Sequence, residues 1–167
     1  MIKIDFKKLN SDLIKYRKKL NEAVREVIAD YTYDFVYTLA NATPVGNTAP
    51  YPEGWLHLYQ IRNKYQGLKI QEGYAMGNWR ITFRPSETAV SRYETNPSLI
   101  ATTAFERIAD EYTFGQPIYI VNNAPYIKKL DDGQSSQAEA GYIDAIVQQY
   151  RNFGKYSSRF NALMAGV

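Results

Sequence analysis

The sequence predicts an α+β domain in which a small, mainly antiparallel sheet packs with a long N-terminal helix, a middle helix and a C-terminal helix. Three observations predict this class. Apolar residues recur every three or four positions near the N-terminus, two short runs have strand character, and two later segments regain helical spacing. The 167 residues, 45% apolar and 14% aromatic, fit a single domain over residues 1–167 with enough apolar side chains for a packed core.

The long helix is predicted over about residues 10–42, with Ser11 or Asn10 as its N-cap. It ends before Pro44, because a proline disfavours helical geometry in the preceding residue. Ahead of it, Ile2, Ile4 and Phe6 alternate with polar residues and predict a short strand-like segment. A helix of about thirty residues is roughly 45 Å long, so it is expected to project or to pack on a neighbouring subunit. Its apolar face comprises Leu9, Leu13, Tyr16, Leu20, Ala23, Val24, Val27, Tyr31, Phe35 and Leu39.

The centre of the chain is predicted as a loop followed by a sheet and helix region. Residues 43–54 contain three prolines and two glycines and are predicted to be a loop. Within residues 55–121, alternation predicts a strand over 78–84, and helical spacing predicts a helix over 98–112, capped by Asn96 or Ser98. The β-branched run 118–121 is typical of a buried strand.

The last third is predicted as a polar loop, a helix and a tail. Residues 122–141 form the loop, a C-terminal helix covers about 138–153, and residues 154–167 are the tail. Tyr142, Ile146 and Tyr150 step at helical spacing. Ser135 or Ser136 is the expected N-cap, with Glu139 completing a capping box.

Charge gives two open interpretations of the N-terminal region. Twenty basic and seventeen acidic residues leave a net charge of only +3, but residues 1–25 hold eight basic and three acidic residues, a balance of 8 − 3 = +5. This segment is either a solvated helix face or a contact for phosphate or an acidic protein surface. With no signal-peptide pattern and no long apolar run, we expect a soluble chain, made in the cytoplasm, without a membrane partner.

No residue pattern favours catalysis or a cofactor. The chain has no cysteine, and its single histidine, His57, lies in an apolar run without a second ligand at metal-binding spacing. Asp131 and Asp132 are adjacent, and neighbouring carboxylates in a solvated loop diverge and stay ionised. The sequence therefore predicts a protein that is not an enzyme and that needs neither metal nor cofactor.

Residues 122–141 carry a dense motif. A strand runs into Asn-Asn, a small residue and Pro-Tyr, and the spacing of the following residues continues the pattern; its positions are Asn122, Asn123, Pro125, Tyr126, Leu130, Gly133, Ser135, Gln137, Ala138 and Gly141. This resembles the signature of tailed-bacteriophage neck proteins, variously called tail-completion, minor tail or head–tail joining proteins, which is close to N-N-x-P-Y-x-x-x-L-x-x-G-x-S-x-Q-A-P-x-G. Glu139 stands where that signature has proline. The family also resembles this chain in a long helix that ends in Thr-Pro-Val, here Thr43, Pro44 and Val45.

The resemblance implies a structural virion protein without catalysis, a subunit of a homo-oligomeric neck ring. Such a ring completes the tail or joins it to the head connector and leaves a passage for DNA. The implied partners are other copies of the chain, portal-side connector or adaptor proteins and tail proteins, with possible non-specific contact to packaged DNA. The implied location is the virion neck or tail, and the host cytoplasm during assembly. The motif residues are the expected subunit interface. The alternative hypothesis is a basic accessory protein that binds nucleic acid.

Overall fold

A computed structural model describes residues 5–45, 73–85 and 94–165 of the chain. The described residues form helices packed with a small antiparallel sheet, which confirms the predicted α+β class. The predicted segments at 1–4, 46–72 and 86–93, including His57 and most of the loop 43–54, lie outside the described residues.

Helix α1 spans Phe6–Ala42, 37 residues, and is the axis of the fold. Its N-cap is Asp5, whose side chain accepts hydrogen bonds from the backbone N–H groups of Lys7 and Lys8. The predicted cap at Asn10 or Ser11 is therefore wrong by more than one turn, and Phe6 is helical rather than strand-like. Aspartate, asparagine and serine are about equally good N-caps, so residue type alone does not distinguish Asp5 from Asn10 or Ser11. The predicted end before Pro44 is confirmed.

Helix α3, Pro97–Glu111, packs along the second half of α1 and forms the core with it. A short helix, α2, spans Tyr74–Gly77 and lies between α1 and α3 in the sequence. The predicted Asn96 cap of α3 is confirmed, since its side chain accepts from the N–H groups of Ser98 and Leu99. Alanines and branched aliphatic residues of both helices belong to the same buried core, among them Ala29, Val36, Leu39, Ala40, Ile100, Ala101, Ala104 and Ile108.

The sheet of the described chain consists of β1, Trp79–Thr82, and β2, Tyr119–Asn122, paired antiparallel. Both predicted strands are confirmed in position. The register places Trp79 opposite Asn122 and Thr82 opposite Tyr119. Strand β2 is half-buried along its whole length rather than buried as predicted, so neither of its faces is fully covered.

The C-terminal third differs most from its prediction. Residues 122–141 are not a continuous loop, because they contain the short helix α4, Ile127–Asp131. The predicted helix 138–153 is shorter, α5 at Tyr142–Gln149. The predicted tail contains a further helix, α6 at Gly154–Met164.

Helix α6 folds back and packs against the middle of α1. Arg159 pairs with Glu26 and Asp30 of α1, and Lys155 pairs with Asp34. The three acids are spaced four residues apart on α1 and the two cations four apart on α6, so one stripe of each helix faces the other. Beside them lies an aromatic cluster, in which Tyr31 stacks on Phe153 with ring centroids 4.8 Å apart and meets Tyr156 edge to face.

Candidate assembly surfaces

The first part of the family-like motif is buried at the end of α1. Thr43 is 2% exposed, Pro44 is buried and Val45 packs against the core. The Thr43 hydroxyl donates to the carbonyl of Leu39 at 2.6 Å and accepts from the indole Nε1 of Trp79 at 2.7 Å. These three residues therefore hold the fold together and present little surface to a neighbour.

Tyr142 lies at the same junction, at the start of α5. Its phenol oxygen is 3.5 Å from Thr43 Oγ1, and burial of the ring raises the pKa of Tyr142, an effect that the Thr43 contact partly opposes. Trp79 is opposite Asn122 in the sheet. The two motif segments, far apart in sequence, are thus joined through Trp79: its indole contacts Thr43 and its backbone is opposite Asn122.

Asn122 fixes the exit of β2. Its amide nitrogen donates to the carbonyl of Ala75 at 2.7 Å, and its amide oxygen accepts from the backbone N–H of Ala124 at 2.9 Å. Both ends of the side chain are occupied, which suits a positional role. The neighbouring Ala124 is only 3% exposed. Asn122 therefore ties the sheet to α2 and turns the chain into the next segment.

We define the motif loop as residues 123–141. Its base is closed by Asp131, whose carbonyl accepts from the N–H of Gly141 at 2.6 Å and whose carboxylate accepts from the N–H of Ile143 at 2.9 Å. Asp131 thereby caps α5 from ten residues before the N-cap position, which Gly141 occupies. The predicted capping box at Ser135 or Ser136 with Glu139 is wrong. Ser135 instead accepts from the N–H of Gln137 at 3.2 Å within the loop.

Gly133 is required by the path of this loop. Its φ is +81°, and a Cβ at this position would lie 2.9 Å from the Cβ of Ala140. The chain at Gly133 therefore passes close to the chain at Ala140, with no room for a side chain at residue 133.

Exposure divides the motif loop into two sets. Tyr126, Leu130, Ser135, Ala138 and Gly141 are half-buried, and Tyr126 lies beside Tyr74 with ring centroids 6.1 Å apart. The exposed positions are Asn123, Pro125, Gly133 and Gln137. Glu139, at the position where the family signature has proline, is exposed as well. Of the thirteen predicted interface residues, Asn123, Pro125, Gly133 and Gln137 are therefore the most open to a neighbouring molecule.

The second candidate surface is the N-terminal part of α1, which we call the arm, residues 5–18. Every residue of the arm is exposed, whereas Ala23 further along is 4% exposed. Four large apolar side chains on one face remain uncovered: Phe6 at 73%, Leu9 at 48%, Leu13 at 57% and Tyr16 at 47%. Sequence periodicity identifies this face, but it does not show where the covered part ends.

The described residues offer no group of three or more histidine, aspartate or glutamate side chains able to hold a metal ion. Within those same residues, no helix combines the length and apolar character needed to cross a membrane.

Comparison of the chain with protein-family models, with curated proteins and with solved structures found no match. The family resemblance of the motif stays a prediction.

Proposed function

We propose that this chain is a structural protein of a tailed-phage particle, a subunit of the neck ring that completes the tail or joins it to the head connector. The observation that carries the proposal is the convergence of both family-like segments on one junction. Thr43 contacts Trp79, and Trp79 pairs with Asn122, so the two segments form one structural unit. The partners proposed are other copies of the chain, portal-side connector proteins and tail proteins.

The motif loop supports an interface role through its shape and its surface chemistry. Asp131 and Gly133 fix its path, and Pro125 and Gln137 are exposed on it. The loop holds two lysines and three acids, a net charge of 2 − 3 = −1. The exposed amide of Gln137 can both donate and accept hydrogen bonds, so the surface offers directional contacts with little net charge. A ring contact must specify one rotation between subunits, which favours such a rigid polar surface.

Mass spectrometry of purified particles tests the proposal. The chain is expected in mature virions, in several copies per particle, and its absence from them would refute the particle role. When the chain is absent during assembly, unjoined heads and tails are expected to accumulate, and electron microscopy detects them.

Two substitutions test the motif loop itself. Gln137→Lys changes an exposed side chain, so it is expected to impair joining of heads to tails while the free chain keeps its unfolding midpoint. Tyr126→Ala removes a half-buried ring beside Tyr74 and is expected to affect both properties. Normal joining with Gln137→Lys would remove this position from the interface.

The basic arm favours a second candidate function, that of a nucleic-acid-binding accessory protein. Its exposed cations are Lys7, Lys8, Lys15, Arg17 and Lys18. Phosphate contacts release counterions, so binding to DNA would weaken steeply as salt rises. A filter-binding titration across salt concentrations measures that slope, and no binding at low salt would refute this function.

A further inference from the structure

We propose that the arms of two copies of this chain associate as a short parallel coiled coil, so that the chain forms a dimer in solution. The inference is independent of the proposed function, because it rests on the arm alone and not on the motif loop.

The spacing of the apolar residues on the arm is that of a coiled coil. Phe6, Leu9, Leu13, Tyr16 and Leu20 are separated by alternating steps of three and four residues, as are the a and d positions of a heptad repeat. Ala23 continues the same row where α1 enters the folded body. A row with this spacing fits a second helix better than it fits a flat surface, because each side chain inserts between four residues of the facing helix.

We call the apolar residues Phe6, Leu9, Leu13, Tyr16, Leu20 and Ala23 the row. Along the uninterrupted helix α1, the row changes from exposed to buried. Phe6 is 73% exposed and Leu13 57%, whereas Leu20 is half-buried and Ala23 is 4% exposed. The remainder of α1 packs with α3, α5 and α6 of the same chain. The exposed part is therefore a continuation of a helical packing surface. Its helix is already nucleated by the packed part, so pairing does not incur the cost of starting a helix.

The charges beside the row favour a parallel pair of identical arms. With Phe6 at an a position, Asp12 occupies g and Arg17 occupies the following e. In a parallel dimer the g residue of one helix lies beside the next e residue of the other, so Asp12 meets Arg17 of the second copy, twice by symmetry. An antiparallel pair centred on Leu9 and Leu13 would instead bring the two Asp12 side chains together.

The other cations of the arm lie away from the pairing row. Lys7, Lys8, Lys15 and Lys18 fall at b, c and f positions, which face outward in such a pair. Each arm nevertheless carries a net positive charge, so the dimer is expected to strengthen as salt screens the repulsion between the arms. This salt dependence is opposite in sign to that of DNA binding.

Sedimentation velocity over a range of concentrations tests the dimer with a matched pair of variants. Leu13→Glu places a charge at an a position, facing its own copy, and is expected to weaken the dimer by about tenfold or more. Ile14→Glu makes the same kind of change at the neighbouring b position, where the side chain is also exposed, at 62%. It is expected to leave the dissociation constant within about twofold, as surface substitutions do.

A wild-type chain that stays monomeric at every concentration would overturn the inference, including the case in which the arm instead binds vesicles containing phosphatidylserine. Equal weakening by Leu13→Glu and Ile14→Glu would also overturn it, because association would then not depend on the row.

The chain contains no cysteine, so single introduced thiols report the orientation of the arms cleanly. Leu9→Cys places two thiols face to face at a d position of a parallel pair and is expected to form a disulfide-linked dimer under mild oxidation. Ser11→Cys, at the outward f position, is the control and is expected to stay largely monomeric. Equal cross-linking of both variants, or none with Leu9→Cys, would overturn the parallel arrangement.

Exchange of the charged pair gives an independent check. Asp12→Arg alone and Arg17→Asp alone each create like-charge neighbours and are expected to weaken the dimer. The double variant with both changes restores opposite charges and is expected to recover most of the lost affinity. Failure of the double variant to recover would overturn the assigned pairing of Asp12 with Arg17.

Discussion

Trp79 donates a hydrogen bond from its indole Nε1 to the hydroxyl of Thr43, over 2.7 Å inside the core. Both residues are almost fully buried, at 6% and 2% exposure. The contact joins the end of α1 to β1. Thr43 belongs to the first family-like segment and Trp79 is opposite Asn122 of the second, so the same bond links the two segments.

Thr43→Val is expected to lower the free energy of unfolding by about 1–3 kcal/mol, because it leaves the buried indole N–H without an acceptor. Valine keeps the shape of threonine, so loss of packing contributes little. Urea denaturation followed by circular dichroism measures the change. Thr43→Ser keeps the hydroxyl and is the control; it is expected to be the more stable variant. A Thr43→Val variant as stable as the wild type would show that the hydrogen bond contributes nothing.

Asp131 and its neighbour Asp132 form a natural matched pair. Asp131→Ala is expected to cost about 0.5–2 kcal/mol, since the N–H of Ile143 at the start of α5 loses its acceptor. Asp132 is exposed, and Asp132→Ala is expected to stay within about 0.5 kcal/mol of the wild type. Thermal or urea unfolding of both variants decides the comparison. Similar costs for the two substitutions would contradict the assignment of the cap to Asp131.

Gly133→Ala is expected to destabilise the chain more than an equivalent change at a glycine with open surroundings. A left-handed backbone costs a non-glycine residue about 1–2 kcal/mol, and at Gly133 the new methyl would also meet Ala140. Gly115 has a similar φ of +84° but no neighbour within 4 Å, so Gly115→Ala isolates the backbone cost. The difference between the two unfolding free energies measures the close approach. No difference would mean that the loop relaxes freely at Gly133.

Asp34 is expected to make the stability of the chain fall in acid. Burial alone would raise the pKa of Asp34, but hydrogen bonds from Lys155 and Tyr156, together with the charge of Lys155, outweigh it and lower the pKa below 3.8. A carboxyl with a lowered pKa contributes stability above its unfolded pKa. That contribution is lost as pH falls from about 4 through the lowered value.

Asp34→Asn should remove this part of the acid dependence. At neutral pH it is expected to cost about 1 kcal/mol, mostly through the Tyr156 hydroxyl, because Lys155 is largely exposed and its ion pair contributes little. Urea unfolding between pH 2 and pH 7, roughly the range over which carboxylates titrate, gives the difference between wild type and variant. A difference that stays constant over this range would contradict the lowered pKa of Asp34.

Local sequence signals were sufficient for the parts of the fold that local residues determine. The spacing of apolar residues predicts α1 and α3, Pro44 ends α1, and Asn96 caps α3 through its own side chain. Alternation around Ile81 places β1. The half-burial of β2 could not be predicted, because it depends on what covers each face of the sheet rather than on the strand itself.

The C-terminal part was harder because distant residues decide it. Helix α5 starts later than predicted, since its cap comes from Asp131 and not from the adjacent serines. Gly154 reads as the end of a helix but begins α6. A signal for α6 was present, because Tyr156 and Phe160 lie four residues apart and Arg159 follows Lys155 at the same spacing. That spacing indicates a packed helix only once Lys155 and Arg159 are seen to face the acidic residues of α1.

The sequence could predict which segment contains the candidate interface, but not which of its residues are exposed to a partner. Sequence motifs mark positions without distinguishing those that build the loop from those that face a partner. Thr43 and Asn122 are occupied by internal hydrogen bonds, while Pro125 and Gln137 are exposed. That distinction depends on packing between segments far apart in the chain.

Helix α1 contains neither glycine nor proline over its 37 residues. Sharp bends in helices almost always occur at such residues or at an interrupted hydrogen-bond ladder, so the sequence of α1 favours a helix without a kink. One end of α1 is packed against the other helices and the other end, residues 5–18, is exposed. If the exposed end at Phe6 is displaced while α1 stays straight, the packed part of α1 rotates together with α3, α5 and α6. A partner that held the exposed end of α1 would therefore also restrict the orientation of the packed helices.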